Sequence, residues 1–145
     1  MSGVPGSGKT TLCRLLNEYG YRCTSLVEIG ISLGCIKGEE ADIDCLRAKL
    51  VPSQYTIIEG HYAHLMKCSH AIILERGMED LRRVYESRGY EIEKINENME
   101  VQESGTIYSE ALDTLPSTKI FTVKNIGIMD EVVSNVRQIL DKILA

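Results

Sequence analysis

Eight residues near the amino end, Gly3-Val4-Pro5-Gly6-Ser7-Gly8-Lys9-Thr10, match the spacing G-x-x-x-x-G-K-[ST] at every fixed position. Each residue type in that pattern has a physical task. Glycines let the backbone turn with its N–H groups pointing inward, which makes an anion cradle free of side chains. A helix opening at Lys9 adds the positive end of its dipole. Lys9 is placed to neutralise charge on β- and γ-phosphates, and the Thr10 hydroxyl to ligate Mg²⁺. Gly3, Gly6, Ser7, Gly8, Lys9, Thr10 and Thr11 are therefore the expected contacts for the triphosphate of ATP or a close relative.

Phosphoryl chemistry at such a loop needs a carboxylate at the end of a neighbouring strand to hold magnesium. Glu59 follows the apolar pair Ile57-Ile58 and opens the segment Glu59-Gly60-His61, which suits that role. An imidazole at His61 can orient a water or exchange a proton near neutral pH. His64 and His70 have no such setting and read as structural. Transferring phosphoryl groups also call for cations on their equatorial oxygens. Arg88, ahead of Gly89-Tyr90 at the end of a helix, is the arginine expected to swing in with a mobile lid. Arg76 is placed to face the nucleotide, whereas one of Arg82 and Arg83 reads as a solvated helix position.

Short apolar strands alternate with helices along the rest of the chain. The spacing predicts helices over 9–19, 42–50, 78–88 and 91–112, with Gly105 a weak point in the last, and a final helix capped by Asp130. Strands are expected at 22–26, 55–58, 71–74 and 120–123. That alternation implies an α/β fold, a parallel sheet with helices on both faces. A phosphate-binding loop joins a buried strand to a helix, yet only Met1 and Ser2 precede Gly3. The first strand is thus expected to be missing, and the natural chain to start upstream.

At 145 residues the chain fits a single domain, 1–145. No apolar run approaches the roughly 18 residues that span a bilayer, and no basic stretch leads into an apolar signal segment. The expected place is the cytoplasm, with no membrane contact. The five cysteines lie ten or more residues apart without a C-x-x-C pair, so they read as unbridged thiols in a reducing compartment. A net charge of −5 argues against strong direct binding of nucleic acid. A basic protein partner is electrostatically easier.

These features together resemble a known family, the adenylate kinase isoenzyme 6 type of P-loop NMP kinase-like proteins. The resemblance runs over nearly the whole chain. It rests on Gly3 to Thr11, Glu40-Ala41-Asp42-Ile43-Asp44, Ile57-Ile58-Glu59-Gly60-His61, and Ser87-Arg88-Gly89-Tyr90 followed by Lys94 and Glu97-Asn98. It implies a P-loop NTPase three-layer sandwich with an NMP-binding region near 26–49 and a lid near 87–97. It implies adenylate kinase activity, ATP and AMP giving two ADP, together with ATP hydrolysis. It also implies assistance to small ribosomal subunit maturation and rRNA processing through a small-subunit ribosomal protein of the uS11 type. Glu59 would then be the Mg²⁺-associated acid, His61 the histidine of ATP turnover and Arg88 the lid arginine.

The chain departs from that family in two residue patterns. Glu59 stands where the family usually has Asp, and the NMP region offers only Lys37, Arg47 and Lys49 as cations. Three readings stay open on the residues: an NMP kinase, an ATP-hydrolysing assembly factor indifferent to AMP, and a kinase for another small metabolite.

Overall fold

The computed structural model describes residues 1–144. Helix α1 (Lys9–Glu18) leaves the loop with Leu12 and Leu16 fully buried and ends before Gly20, whose φ of +89° only glycine adopts easily. The chain returns in β1 (Cys23–Ser25) and turns at once into α2 (Leu26–Leu33). A two-residue hairpin, β2 (Ile36–Lys37) with β3 (Glu40–Ala41), leads to α3 (Ile43–Lys49), capped by the Asp42 side chain on the Cys45 N–H. Then come β4 (Ile57–Glu59), β5 (Ala71–Arg76), α4 (Met78–Ser87), α5 (Ile92–Glu103), α6 (Thr106–Leu112), β6 (Ile120–Asn125) and α7 (Met129–Ile143).

Outside the β2–β3 hairpin, which is antiparallel, the strands are parallel. β1 pairs with β4, and β5 pairs with β6 from Ala71–Ile120 to Arg76–Asn125. Met1 and Ser2 stand between the two pairs, where the expected first strand belongs. The Met1 amine donates to the Ile58 carbonyl at 2.7 Å and Gly60 N–H donates to the Met1 carbonyl. On the other side Ser2 exchanges hydrogen bonds with Ile72 and Leu74, both at 2.8 Å. The sheet therefore runs β1, β4, Met1–Ser2, β5, β6, with the loop leaving its centre. Ahead of Ser2, β4 and β5 flank a cavity of about 360 Å³ lined by Ile57, Ile58, Ala71 and Ile72 among others.

Strand alternation divides the core. Ile72 and Leu74 face α1 and α7, where Leu12, Leu16, Val132, Val136 and Leu140 are buried. Ala71 and Ile73 face α4, α5 and α6, packing on Leu81, Tyr85, Ile95, Ile107 and Ala111. A third cluster, with Leu26, Ile29, Cys35, Leu46 and Met66, holds α2 and α3 as an arm beside the sheet. This is the expected three-layer P-loop architecture.

Several elements differ from expectation. Helix α2 was hidden because its exposed Val27 and Ile31 blur the apolar stripe. The single helix expected over 91–112 is two, broken at Gly105 with φ +67°. Ile128, not Asp130, occupies the cap position of α7; Asp130 lies in the first turn beside Glu131, where carboxylates favour the helix N-terminus.

The cysteines are also corrected. Cys13 is bonded to Cys23 and Cys35 to Cys45, each pair with Cα atoms 5.5 Å apart, and Cys68 keeps the free thiol. A helix that reverses into a strand brings residues ten apart together, so no C-x-x-C spacing is needed. Cys13 and Cys23 meet under α1, and Cys35 and Cys45 across the hairpin of the arm.

Candidate functional site

The glycines of the loop earn their places by space as well as by dihedral. Gly8 has φ +106°, and a Cβ there would lie 2.7 Å from Nδ2 of Asn125. Gly6 has φ +78°, and its Cβ would press on Val84 and Tyr85 of α4 at 3.0 and 3.3 Å. The loop is thus wedged between the end of β6 and α4, and only hydrogen fits.

Lys9 is 5 % exposed and folds over the loop. Its ammonium donates to the carbonyls of Gly3 at 2.8 Å and Val4 at 2.9 Å, with Ser7 Oγ at 3.4 Å. Burial, aided by the Arg88 charge and opposed by Glu59, lowers its pKa to about 8. Ser7 is fully buried, and its carbonyl accepts from Asn125 Nδ2 at 3.0 Å. Thr10 and Thr11 are exposed on the first turn of α1.

Glu59 ends β4 and is 6 % exposed. Burial raises its carboxyl pKa against the pull of Lys9, the chain's amino group and a hydrogen bond from Ser25. Two residues on, Nδ1 of His61 lies 3.4 Å from the Gly3 carbonyl. A carbonyl only accepts, so the proton sits on Nδ1 and Nε2 carries the free lone pair. His61 is exposed as a residue, yet partial desolvation of its ring first, then Lys9 and Arg88, lower its pKa to about 4, so the ring is neutral near pH 7. Arg88 is the C-cap of α4, exposed, and its charge acts on both Lys9 and His61.

The structure therefore gathers Lys9, Glu59, His61 and Arg88 at the carboxyl ends of the parallel strands, around one glycine loop. Arg76 belongs to the last position of β5, and its Nη1 donates to the Gly6 carbonyl at 3.1 Å. Arg83 pairs with Glu79 and Asp80 on its own helix, in solvent. His70 is half-buried, within hydrogen-bond reach of Ser69 Oγ and stacked on Phe121. His64 is buried, takes a hydrogen bond from Ser2 at 2.7 Å and donates to Glu110 at 3.1 Å, which ties α6 to the root of the loop. Asn125 lies outside every motif of the sequence. Its signal is a polar residue closing an apolar strand just before Gly127, whose N–H its own Oδ1 receives at 2.9 Å.

The AAA domain family matches residues 1–104. A protein of Thermoplasma acidophilum bearing the name "Putative adenylate kinase" is 44% identical over 126 residues, covering 86% of this chain and 85% of its own length. A protein of the same name from Thermoplasma volcanium is 42% identical over 143 residues, 98% of this chain and 93% of that one. The chain belongs to this P-loop, NMP kinase-like family. Another of that name, from Archaeoglobus fulgidus, is 35% identical over 118 residues, 78% of this chain and 65% of its own. Among the described residues no helix is long and apolar enough to cross a membrane.

Proposed function

We propose that the chain is an adenylate kinase that also hydrolyses ATP. The observation that carries this is that Lys9, Arg88, the buried Glu59 and the neutral His61 lie close enough beside the glycine loop for their charges to act on one another. Gly3, Gly6, Ser7, Gly8, Lys9, Thr10 and Thr11 bind the ATP phosphates. An oxygen of the AMP phosphate attacks the γ-phosphorus, the bond to the bridging oxygen breaks, and two ADP result. Lys9 and Arg88 carry positive charge to the transferring group, and positioning does the rest. The names borne by the relatives support adenylate chemistry.

Magnesium takes hard oxygen ligands. The Thr10 hydroxyl at the loop mouth and the Glu59 carboxyl at the end of β4 offer such oxygens, and Lys9, the chain's amino group and Ser25 favour the ionised form of Glu59 that a cation needs. When bound, the ion would neutralise charge on the phosphate oxygens. His61, with Nε2 bare, accepts a proton from a water or holds it in line for hydrolysis.

A second reading is favoured by one observation. The arm that would receive AMP offers only Lys37, Arg47 and Lys49 as cations, all exposed. In that reading ATP hydrolysis serves maturation of the small ribosomal subunit in the cytoplasm, stimulated by a basic ribosomal protein of the uS11 type docking on this acidic chain. ADP release measured with ATP alone, with AMP, and with that protein separates the two. AMP-dependent ADP formation that collapses in Lys9→Ala supports the kinase; output indifferent to AMP removes it.

A further inference from the structure

A loop can cradle an anion only while its N–H groups point inward, and the carbonyls of the same peptides must then point outward and find donors. Two such carbonyls at the apex of this loop are met by side chains from outside the motif. The Pro5 carbonyl accepts from the Tyr85 hydroxyl, and the Gly6 carbonyl from Nη1 of Arg76. Neither donor is loose. Tyr85 is fully buried on α4 and stacks on Tyr90, ring centroids 5.3 Å apart, with Lys94 Nζ 4.1 Å above Tyr90. Arg76 is gripped by Gln102 of α5: Oε1 accepts from the Arg76 N–H at 2.9 Å, and Nε2 donates to the Arg76 carbonyl.

We infer that Tyr85, Arg76 and Gln102 are positioning residues that preset the loop for polyphosphate by holding the Pro5 and Gly6 carbonyls outward. The need for them follows from the loop's own composition. Gly6 sits at φ +78° and meets no backbone penalty on either side of φ = 0. Glycine's own dihedral preference therefore does not fix the planes on either side of it; the Ser7 N–H is held from within the loop by the Val4 carbonyl at 3.2 Å, and a flip would turn a carbonyl to where an N–H stands. Two donors anchored in α4 and β5 make the outward orientation the favoured one before any ligand arrives, which lowers the ordering cost of binding. This inference rests on reading the loop as a polyphosphate site, and it adds residues that the G-x-x-x-x-G-K-[ST] pattern does not contain.

The test is calorimetric titration of the full chain with magnesium-loaded ATP and with inorganic tripolyphosphate. Variants are Tyr85→Phe, Gln102→Leu, and the pair Arg76→Met and Arg76→Lys. Losing one uncharged hydrogen bond should weaken both ligands by the same factor, about fivefold, in Tyr85→Phe and Gln102→Leu. Arg76→Met should weaken them about tenfold, and Arg76→Lys, which restores a donor for Gly6, should recover most of that loss. AMP affinity should not follow, and the KM for ATP should move far more than kcat. If the wild-type chain takes up neither ligand, the polyphosphate reading fails and the inference with it. If it binds both and the variants bind equally well, the inference alone fails. A fall in kcat with unchanged KM would overturn it too, because Arg76 or Tyr85 would then act on the reacting group itself.

Discussion

Removing the bridge between Cys35 and Cys45 should cost the protein several kcal/mol, and the loop it closes sets the amount. The two cysteines are 10 residues apart in sequence, as are Cys13 and Cys23. In the chain-entropy account a loop of that size withholds about 9 cal/mol/K from the unfolded ensemble, or about 2.8 kcal/mol at 25 °C. A chain of this length unfolds with an entropy of roughly 0.3 kcal/mol/K near its midpoint, so one bridge corresponds to about 9 °C in Tm. The two bridges lie in different clusters, one under α1 and one in the arm, so their effects should nearly add. The assay has two stages. Thiol titration of the denatured, unreduced protein should find one reactive sulfur, Cys68, and all five after reduction. Calorimetry with and without a phosphine reductant should then show Tm falling by about 18 °C, and Cys45→Ser should account for about half of it. Five thiols before reduction would show that the bridges do not form. One thiol with a Tm shift under about 3 °C would refute the entropic account.

Three further outcomes follow from local geometry. Gly8→Ala forces a left-handed backbone on alanine, costing about 1–2 kcal/mol, and pushes Asn125 off the Ser7 carbonyl. Urea melts should show the loss, and ATP uptake should fall at least tenfold; an alanine variant that binds normally would contradict the wedge described for the loop. Leu12 is fully buried between the sheet and α7, so Leu12→Ala should cost about 3–5 kcal/mol in the same melts. Burial holds His64 below its ordinary pKa despite the hydrogen bond to Glu110. The unfolded chain therefore takes up a proton below about pH 6.5 that the fold refuses, and stability present above that pH is lost as the pH falls, at up to about 1.4 kcal/mol per unit. Melts at pH 7 and 5.5 should show a shallower loss in His64→Gln; equal slopes would place the acid sensitivity elsewhere.

The loop and the candidate site were legible in the sequence for different reasons. Gly3 to Thr10 is a local pattern, carried by neighbours in the chain, so spacing suffices. Glu59 and His61 were legible because an apolar strand must end at the carboxyl edge of a parallel sheet, the same edge from which the loop leaves. Arg88 could be placed only as the end of a helix, and the structure adds that its charge reaches Lys9 and His61. What escaped was what depends on pairs distant in sequence. Tyr85 meets Pro5 across 80 residues and Asn125 meets Ser7 across 118. No periodicity carries such a contact. The cysteine pairing was lost for a related reason, since it depends on how tightly the chain reverses after α1 and after α2.

The charge at the candidate site runs against that of the chain that carries it. The chain as a whole is acidic, with net charge −5, yet the mouth of the loop concentrates Lys9, Arg88 and the first-turn amides of α1. Lys9 is held at a pKa of about 8 by its burial and His61 at about 4 by partial desolvation of its ring, in each case with a neighbouring cation adding to the effect. These are costs that the folded chain bears alone, and the core clusters beneath the sheet supply the stability that permits them. Under the proposed function a polyphosphate would bring opposite charge to the same place and offset both the cost of burying the Lys9 charge and its repulsion from Arg88. The carbonyls of Gly3 and Val4 hold the Lys9 ammonium over the loop, and an ionised donor favours an anionic acceptor over a neutral one, so under the proposed function a phosphate oxygen would add to these contacts the stronger, charge-assisted one.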